Sequence, residues 1–362
     1  MKKCRVSFCF VLLMILVLFA AACFKDSDKA ENAGTKQRKI AVFIPGLMSG
    51  SPIYEMLADG VQRAVKEAGG ASLTVIEAGF IQADWEAKLT TLAAGGKFDL
   101  IVSSNPSMPL IVSAVSKKFP SQRFMLFDGE LGGNPSIYTL RYNQREQSYM
   151  AGFLAALLAA ESGFPRIGLI AAQHYPVMDK VILPGYLEGA KTVLPSVSLD
   201  FRIIGSWSDV EKGAEIASAM ISSGVKVILA ISGGGNEGVA QAALEQKAQV
   251  LLFDINAYEI KPGVIAGCSI LRQDKAAYDK TMLFLNGGLP FGTAEIVGIR
   301  DGYVDFADDD PLYISTLSRI VREKQAVMLE TLRNGSLVLP QEDEALSKNI
   351  VIETGLQGES AW

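Results

Sequence analysis

The sequence predicts an α/β protein of two doubly wound, mostly parallel sheets that share a cleft. Three observations predict it. Short aliphatic runs alternate with segments of helical length, the pattern of parallel strands covered by helices on both faces. The alternation is written twice in the same order, once before residue 142 and once after it. Between residues 225 and 254 stands one complete unit: an apolar run, the loop Ser232-Gly-Gly-Gly-Asn-Glu-Gly238, an Ala-rich helical run, and a second apolar run that ends on Asp254.

The first series has strands over 39–44, 73–77, 98–103 and 123–128, with helices over about 54–68, 85–94 and 109–118. A strand at 137–141 leads into a long helix over 145–161. The pattern then restarts. Strands are predicted over 166–171, 198–204 and 225–231, with helices over 183–193 and 210–223. Residues 263–269 read as a strand returning to the first domain, followed by a helix over 275–285. Residues 297–306 read as a strand pair or hairpin, and 314–334 as a closing helix. The domains are therefore expected to be 39–142 with 263–300, and 143–262 with 301–345, followed by a tail from 346 to 362.

The N-terminal residues carry a targeting pattern. Lys2, Lys3 and Arg5 precede the apolar run 6–19, and Ala20-Ala-Ala-Cys23 follows. Basic residues, an apolar stretch and small residues before a cleavage point make a secretory signal. The apolar run falls short of the roughly 20 residues of a membrane span. A cysteine at the cleavage point makes it a lipoprotein signal over 1–22, with Cys23 as the acylated first residue. Residues 23–38 are polar and read as a flexible tether. Cys4 and Cys9 leave with the signal, so only Cys268 remains and no internal disulfide is possible. Stability must come from burial, and 49% apolar residues in 362 suffice for two cores.

A net charge of −5 without a basic stripe excludes nucleic acid as a partner. His174 is the one histidine, which excludes a multi-histidine metal site. No nucleophile–base motif is readable, so an enzyme is not expected. Gly233-x-Gly235-x-x-Gly238 after a strand, with Asp254 further on, has the spacing of a dinucleotide fingerprint. Export argues against that use, because nicotinamide cofactors are cytoplasmic. The alternative is a glycine turn that lets backbone approach a ligand, with Gly233, Gly234 and Asn236 beside it.

In a parallel sheet the carboxyl ends of the strands face one crevice. Asn105, Asp128, Trp207 and Asp254 stand at such ends, and Tyr54 follows the first loop. Trp207 is either a platform for a flat ring or a rim residue packed on its own domain. Asp128 and Asp254 either accept hydrogen bonds from a ligand or cap helices.

Several blocks of residues 39 to about 305 resemble the basic-membrane-protein family of lipoprotein substrate-binding proteins. These are Arg145-Glu-Gln-Ser-Tyr-Met-Ala-Gly152, Gly185-Tyr-Leu-Glu-Gly-Ala-Lys191, Gly205-Ser-Trp-Ser-Asp209, the glycine loop, and Ser269-Ile-Leu-Arg272. The resemblance implies a type I periplasmic-binding-protein fold with a hinge and a ligand cleft between the domains. It implies a ligand ring stacked on Trp207, and hydroxyls held by Asp254 and by Arg272, where the family usually has lysine. It implies a monomer, anchored by lipid on the outer face of a membrane, that delivers its ligand to an ABC permease and ATPase. No cofactor is implied. The family's first loop carries an Asp and a stacking Phe, whereas Gly46-Leu-Met-Ser-Gly-Ser-Pro-Ile53-Tyr54 has neither. The chain looks most like the riboflavin-binding lipoproteins of the family, so riboflavin is the expected ligand and a purine nucleoside the alternative.

Overall fold

The computed structural model describes residues 37–339. Strands β1 (Arg38–Ile44), β2 (Ala71–Glu77), β3 (Leu100–Ser104), β4 (Phe124–Phe127) and β5 (Ile137–Tyr142) belong to one sheet, with helices α1 (Pro52–Ala68), α2 (Trp85–Ala94) and α3 (Met108–Lys118) between them. Helix α4 (Gln144–Ser162) opens the second series. It is followed by β6 (Arg166–Ala171), α5 (Leu183–Val193), β7 (Ser198–Ile203), α6 (Val210–Ser222), β8 (Val227–Ile231), α7 (Gly235–Gln246), β9 (Gln249–Asp254) and β10 (Ile265–Leu271). Helix α8 (Gln273–Leu285) and β11 (Ala294–Val297) return to the first sheet. Strand β12 (Val304–Phe306) rejoins the second, and α9 (Pro311–Thr316) and α10 (Arg319–Arg333) follow.

The sheets are ordered β11-β5-β4-β3-β1-β2 and β12-β10-β9-β8-β6-β7. The two orders correspond strand for strand. All pairings are parallel except β10 with β12. The apolar runs are strands because both faces are covered. On β1, Ile40, Val42 and Ile44 pack toward Leu57 and Val61 of α1, while Ala41 and Phe43 pack toward Leu89, Met108 and Val112 of α2 and α3. Side chains alternate in direction along a strand, so a strand between two helical layers shows no polar face.

Three expectations are corrected. The strand predicted to return to the first domain, β10, instead pairs with β9 in the second sheet. Gly267 explains its place: Leu154 of α4, Leu251 of β9 and Phe306 of β12 close over it, and a Cβ would lie within 3.1 Å of each. Residues 297–306 are not a hairpin, because Val297 ends β11 in one sheet and Val304 begins β12 in the other. The closing helix is two helices, broken at Leu317, with the Ser318 side chain capping the second through Val321 N–H.

The chain thus passes between the sheets three times: from β5 into α4, from β10 into α8, and from β11 to β12. All three passages lie at the β5/β11 side of one sheet and the β10/β12 side of the other. Helix α4 is buried along most of its length, and its Arg145 pairs with Glu188 of α5 at 2.6 Å.

Candidate functional site

Two aspartates at strand ends of the two sheets lie close enough that the charge of one acts on the other. Asp128 follows β4 and Asp254 ends β9, equivalent positions in the two sheets. Both are in the left-handed region, with φ of 53° and 76°. Asp is one of the few side chains that tolerate this conformation, which turns the carboxylate away from the strand. Burial pushes Asp128 up to about 8; the charge of Asp254 adds to this, and Arg141 opposes it. Burial pushes Asp254 up to about 6, against a hydrogen bond from Gln147.

Tyrosines surround the pair. Burial raises Tyr142 and Tyr175, and the charges of both aspartates raise them further. Tyr54, in the first turn of α1, is raised by burial, with a hydrogen bond from Asn105 opposing and Asp128 adding. Its hydroxyl donates to Pro45 O at 3.2 Å and accepts from Asn105 Nδ2 at 3.2 Å. Asn105 also accepts from Ser107 N–H at 2.8 Å, which fixes its carboxamide.

Trp207 lies past β7 and is 45% exposed. Its ring leans on Tyr175, with centroids 6.2 Å apart and planes tilted by 41°. Its carbonyl accepts Gly234 N–H at 2.9 Å, so the glycine loop carries the tryptophan. Gly233 has φ of 57°, and a Cβ there would lie 2.7 Å from Trp207 O. Gly234 has φ of −60° and more room, so the demand for glycine falls on Gly233.

Most of the loop amides are already bonded within the chain. Ser232 N–H donates to Asn236 Oδ1 at 2.8 Å, Gly235 N–H to Ser232 O at 3.0 Å, and Asn236 N–H to Gly233 O at 3.1 Å. A diphosphate cradle needs such amides aimed outward, so the dinucleotide spacing here serves loop and packing. Asn236 Oδ1 also accepts the Ser232 hydroxyl at 2.7 Å, turning its oxygen inward. Arg272 occupies the N-cap position of α8 without a side-chain capping bond, and its guanidinium stands 3.6 Å from Asp274. No contact joins it to Asp254. His174 pairs with Asp179 at 2.8 Å on the surface, and Cys268 is buried with its thiol pushed up to about 12.

Sequence reasoning missed the groups that hold these residues. Gln147 of α4 is fully buried; its Nε2 donates to Asp254 Oδ1 at 3.0 Å and to Ser269 O at 3.2 Å. Gln273 of α8 accepts from Ser104 and Tyr142 and donates to Ile53 O at 2.8 Å, tying β3, β5 and α1 together. Tyr175 carried no signal beyond being aromatic in a loop.

The aspartate pair sets a pH dependence. Both carboxyls have folded pKa values above the ordinary 3.8. The stabilisation of the protonated form is complete below about pH 4 and is lost as pH rises through about 6 and then 8. The unliganded protein is therefore expected to lose stability between pH 4 and 8. Asp128→Asn, which tolerates the same φ, should flatten that slope and stabilise the protein at pH 8 by on the order of 2 kcal/mol, allowing for water in the cleft. Urea midpoints across the pH range check this; parallel slopes for the two proteins would contradict it.

Comparison with known proteins adds the family. Residues 37–336 match the family described as ABC transporter substrate-binding protein PnrA-like. A Lactococcus lactis protein named ABC transporter nucleoside-binding protein is 30% identical over 233 residues, 59% of this chain and 64% of that one. An uncharacterized lipoprotein of Pyrococcus abyssi is 25% identical over 313 residues, covering 82% and 75%. Among solved structures, an ABC transporter solute-binding protein from Aeropyrum pernix superposes with a TM-score of 0.74 at 18% identity, covering 86% of this chain and 96% of that one. The last likeness is one of fold, and it is the type I binding-protein fold of two sheets around a cleft. This chain belongs to the PnrA-like family of ABC transporter substrate-binding proteins.

Proposed function

We propose that this substrate-binding protein captures riboflavin in the cleft between its sheets and delivers it to an ABC permease and its ATPase. One observation carries the reading: a half-exposed Trp207 ring leans on Tyr175, and the charges of Asp254 and Asp128 act on that same tyrosine. A flat ring system stacks on an indole face, and a polyol tail offers several O–H donors to Asp128 and Asp254. The first loop favours a flavin over a purine. It offers no carboxylate to a base edge, and Tyr54 and Asn105 are engaged with each other.

A purine nucleoside is the second reading, favoured by the name of the Lactococcus lactis relative; its ribose would use the same carboxylates. The absorption spectrum of the purified protein separates the two. Bound flavin gives a visible band and quenched fluorescence, whereas a nucleoside absorbs only in the ultraviolet. A colourless protein that leaves added riboflavin fully fluorescent and binds guanosine would overturn the flavin reading.

The proposed anchor is a lipid on Cys23, which lies outside the described residues. Among the described residues no helix is long and apolar enough to cross a membrane. Palmitate labelling should disappear in Cys23→Ala, and labelling that persists would remove Cys23 from the proposal.

A further inference from the structure

The carboxyl ends of β2 and β7 are built alike. Each is the strand of its sheet farthest from the three passages that join the sheets. Past β2, Ala78 N–H donates to Ile44 O at 2.8 Å and Gly79 N–H to Gly46 O at 2.9 Å. Past β7, Ile204 N–H donates to Ala171 O at 2.9 Å and Gly205 N–H to Ala172 O at 2.7 Å. Gly79 and Gly205 are both left-handed, with φ of 74° and 88°. Each is followed within two residues by an exposed aromatic ring: Phe80 in the first sheet, 77% exposed, and Trp207 in the second.

The likeness extends to what stands behind the rings. Tyr175, from the loop after β6, backs Trp207. Tyr54, reached by the loop after β1, flanks Gly46 together with Phe80; a Cβ at Gly46 would lie 3.1 Å from the Tyr54 ring and 3.9 Å from the Phe80 ring. The Phe80 loop is also braced from below. Trp85 Nε1 donates to Gly79 O at 2.8 Å and Lys88 Nζ to Ala78 O at 2.6 Å. A phenyl ring held in water on a braced loop loses the benefit of burial that apolar side chains ordinarily gain. A ligand ring would restore it.

We infer that Phe80 is the aromatic wall contributed by the first sheet, the counterpart of Trp207, and that the two rings enclose the flat part of the ligand. The inference rests on the proposed capture of a planar ligand and names the second face of that site. It also supplies a second aromatic face where the segment 46–54 offers no phenylalanine.

The test titrates riboflavin against wild type, Phe80→Ala, Phe80→Leu and Phe80→Tyr by flavin fluorescence, with thermal midpoints measured in parallel. Phe80→Ala and Phe80→Leu should both weaken binding about tenfold, and Phe80→Tyr should bind like wild type, because the ring rather than apolar bulk is required. Midpoints should stay unchanged, since the ring is exposed. If wild type binds riboflavin and Phe80→Ala binds equally well, the role of Phe80 is overturned while the flavin reading stands. If wild type binds guanosine instead, the flavin reading falls, and the same variants titrated calorimetrically with guanosine decide Phe80. Binding of neither ligand overturns both.

Discussion

Trp207→Ala is expected to weaken riboflavin binding about a hundredfold. Stacking on one aromatic is worth about 0.5–1.5 kcal/mol beyond area burial, and covering one ring face adds roughly 2 kcal/mol at about 25 cal/mol per Å². The sum lies near two factors of ten at about 1.4 kcal/mol each. The substitution should leave the fold intact, because the ring is half-exposed and the bond that anchors its loop uses the Trp207 carbonyl. The variant should also lose part of the quenching that a stacked indole imposes on bound flavin. Asp254→Asn, chosen because Asn tolerates φ of 76°, should weaken binding and leave the quenching of residual bound flavin intact. Fluorescence titration separates the two effects. A Trp207→Ala protein that binds and quenches like wild type would make Trp207 a packed rim residue.

Gly238→Val should cost about 3 kcal/mol of stability. Gly238 lies where α7 crosses α6, and a Cβ there would collide with the carbonyl of Val210 and the amide of Ala214. Across the same crossing, Gly213 faces the carbonyl of Gly235 at 2.5 Å from its own Cβ position. Both neighbours are helical backbone and cannot swing aside as a side chain would, so the cost falls at or above the usual 1–3 kcal/mol of overpacking. The thermal midpoint should drop by about 6 °C or more. Because α7 begins directly after the loop that holds Trp207, flavin affinity should fall as well. An unchanged midpoint would mean that the helices can separate without penalty.

Gly238 also shows how much of this protein is legible in its sequence. The glycine spacing, the strand before it and the helix after it were readable, because turn, apolar run and helical period are local properties. The purpose of the spacing was not: the third glycine serves a helix crossing set by a partner more than twenty residues away. The sheet to which β10 belongs was hidden for the same reason, since Gly267 finds its place through Leu154 and Phe306. An apolar run says that a strand is covered, not which sheet receives it. The passage from β11 to β12 looked like a hairpin because two short strands and a turn read alike whether they pair or part. At the site, the residues at strand ends followed from topology alone. Gln147 did not, because a glutamine inside a helix betrays nothing until Asp254 is seen against it. Phe80 did not, because an apolar residue in a loop gains meaning only from its exposure and its bracing.

The three passages at one side of the sheets make the molecule a lever. Neighbouring strands stand about 4.8 Å apart. Counted from β5, Asp128, just past β4, is one strand out and Phe80, past β2, is four. Any rigid rotation of one sheet against the other about those passages moves the aromatic rings about four times as far as the carboxylates. In such a rotation the rings would part widely while Asp128 and Asp254 stay comparatively close, and the aromatic faces would meet only at the end of the stroke. Distance labels placed on the outer faces of β2 and β7 will therefore register closing that labels near β4 and β9 barely detect.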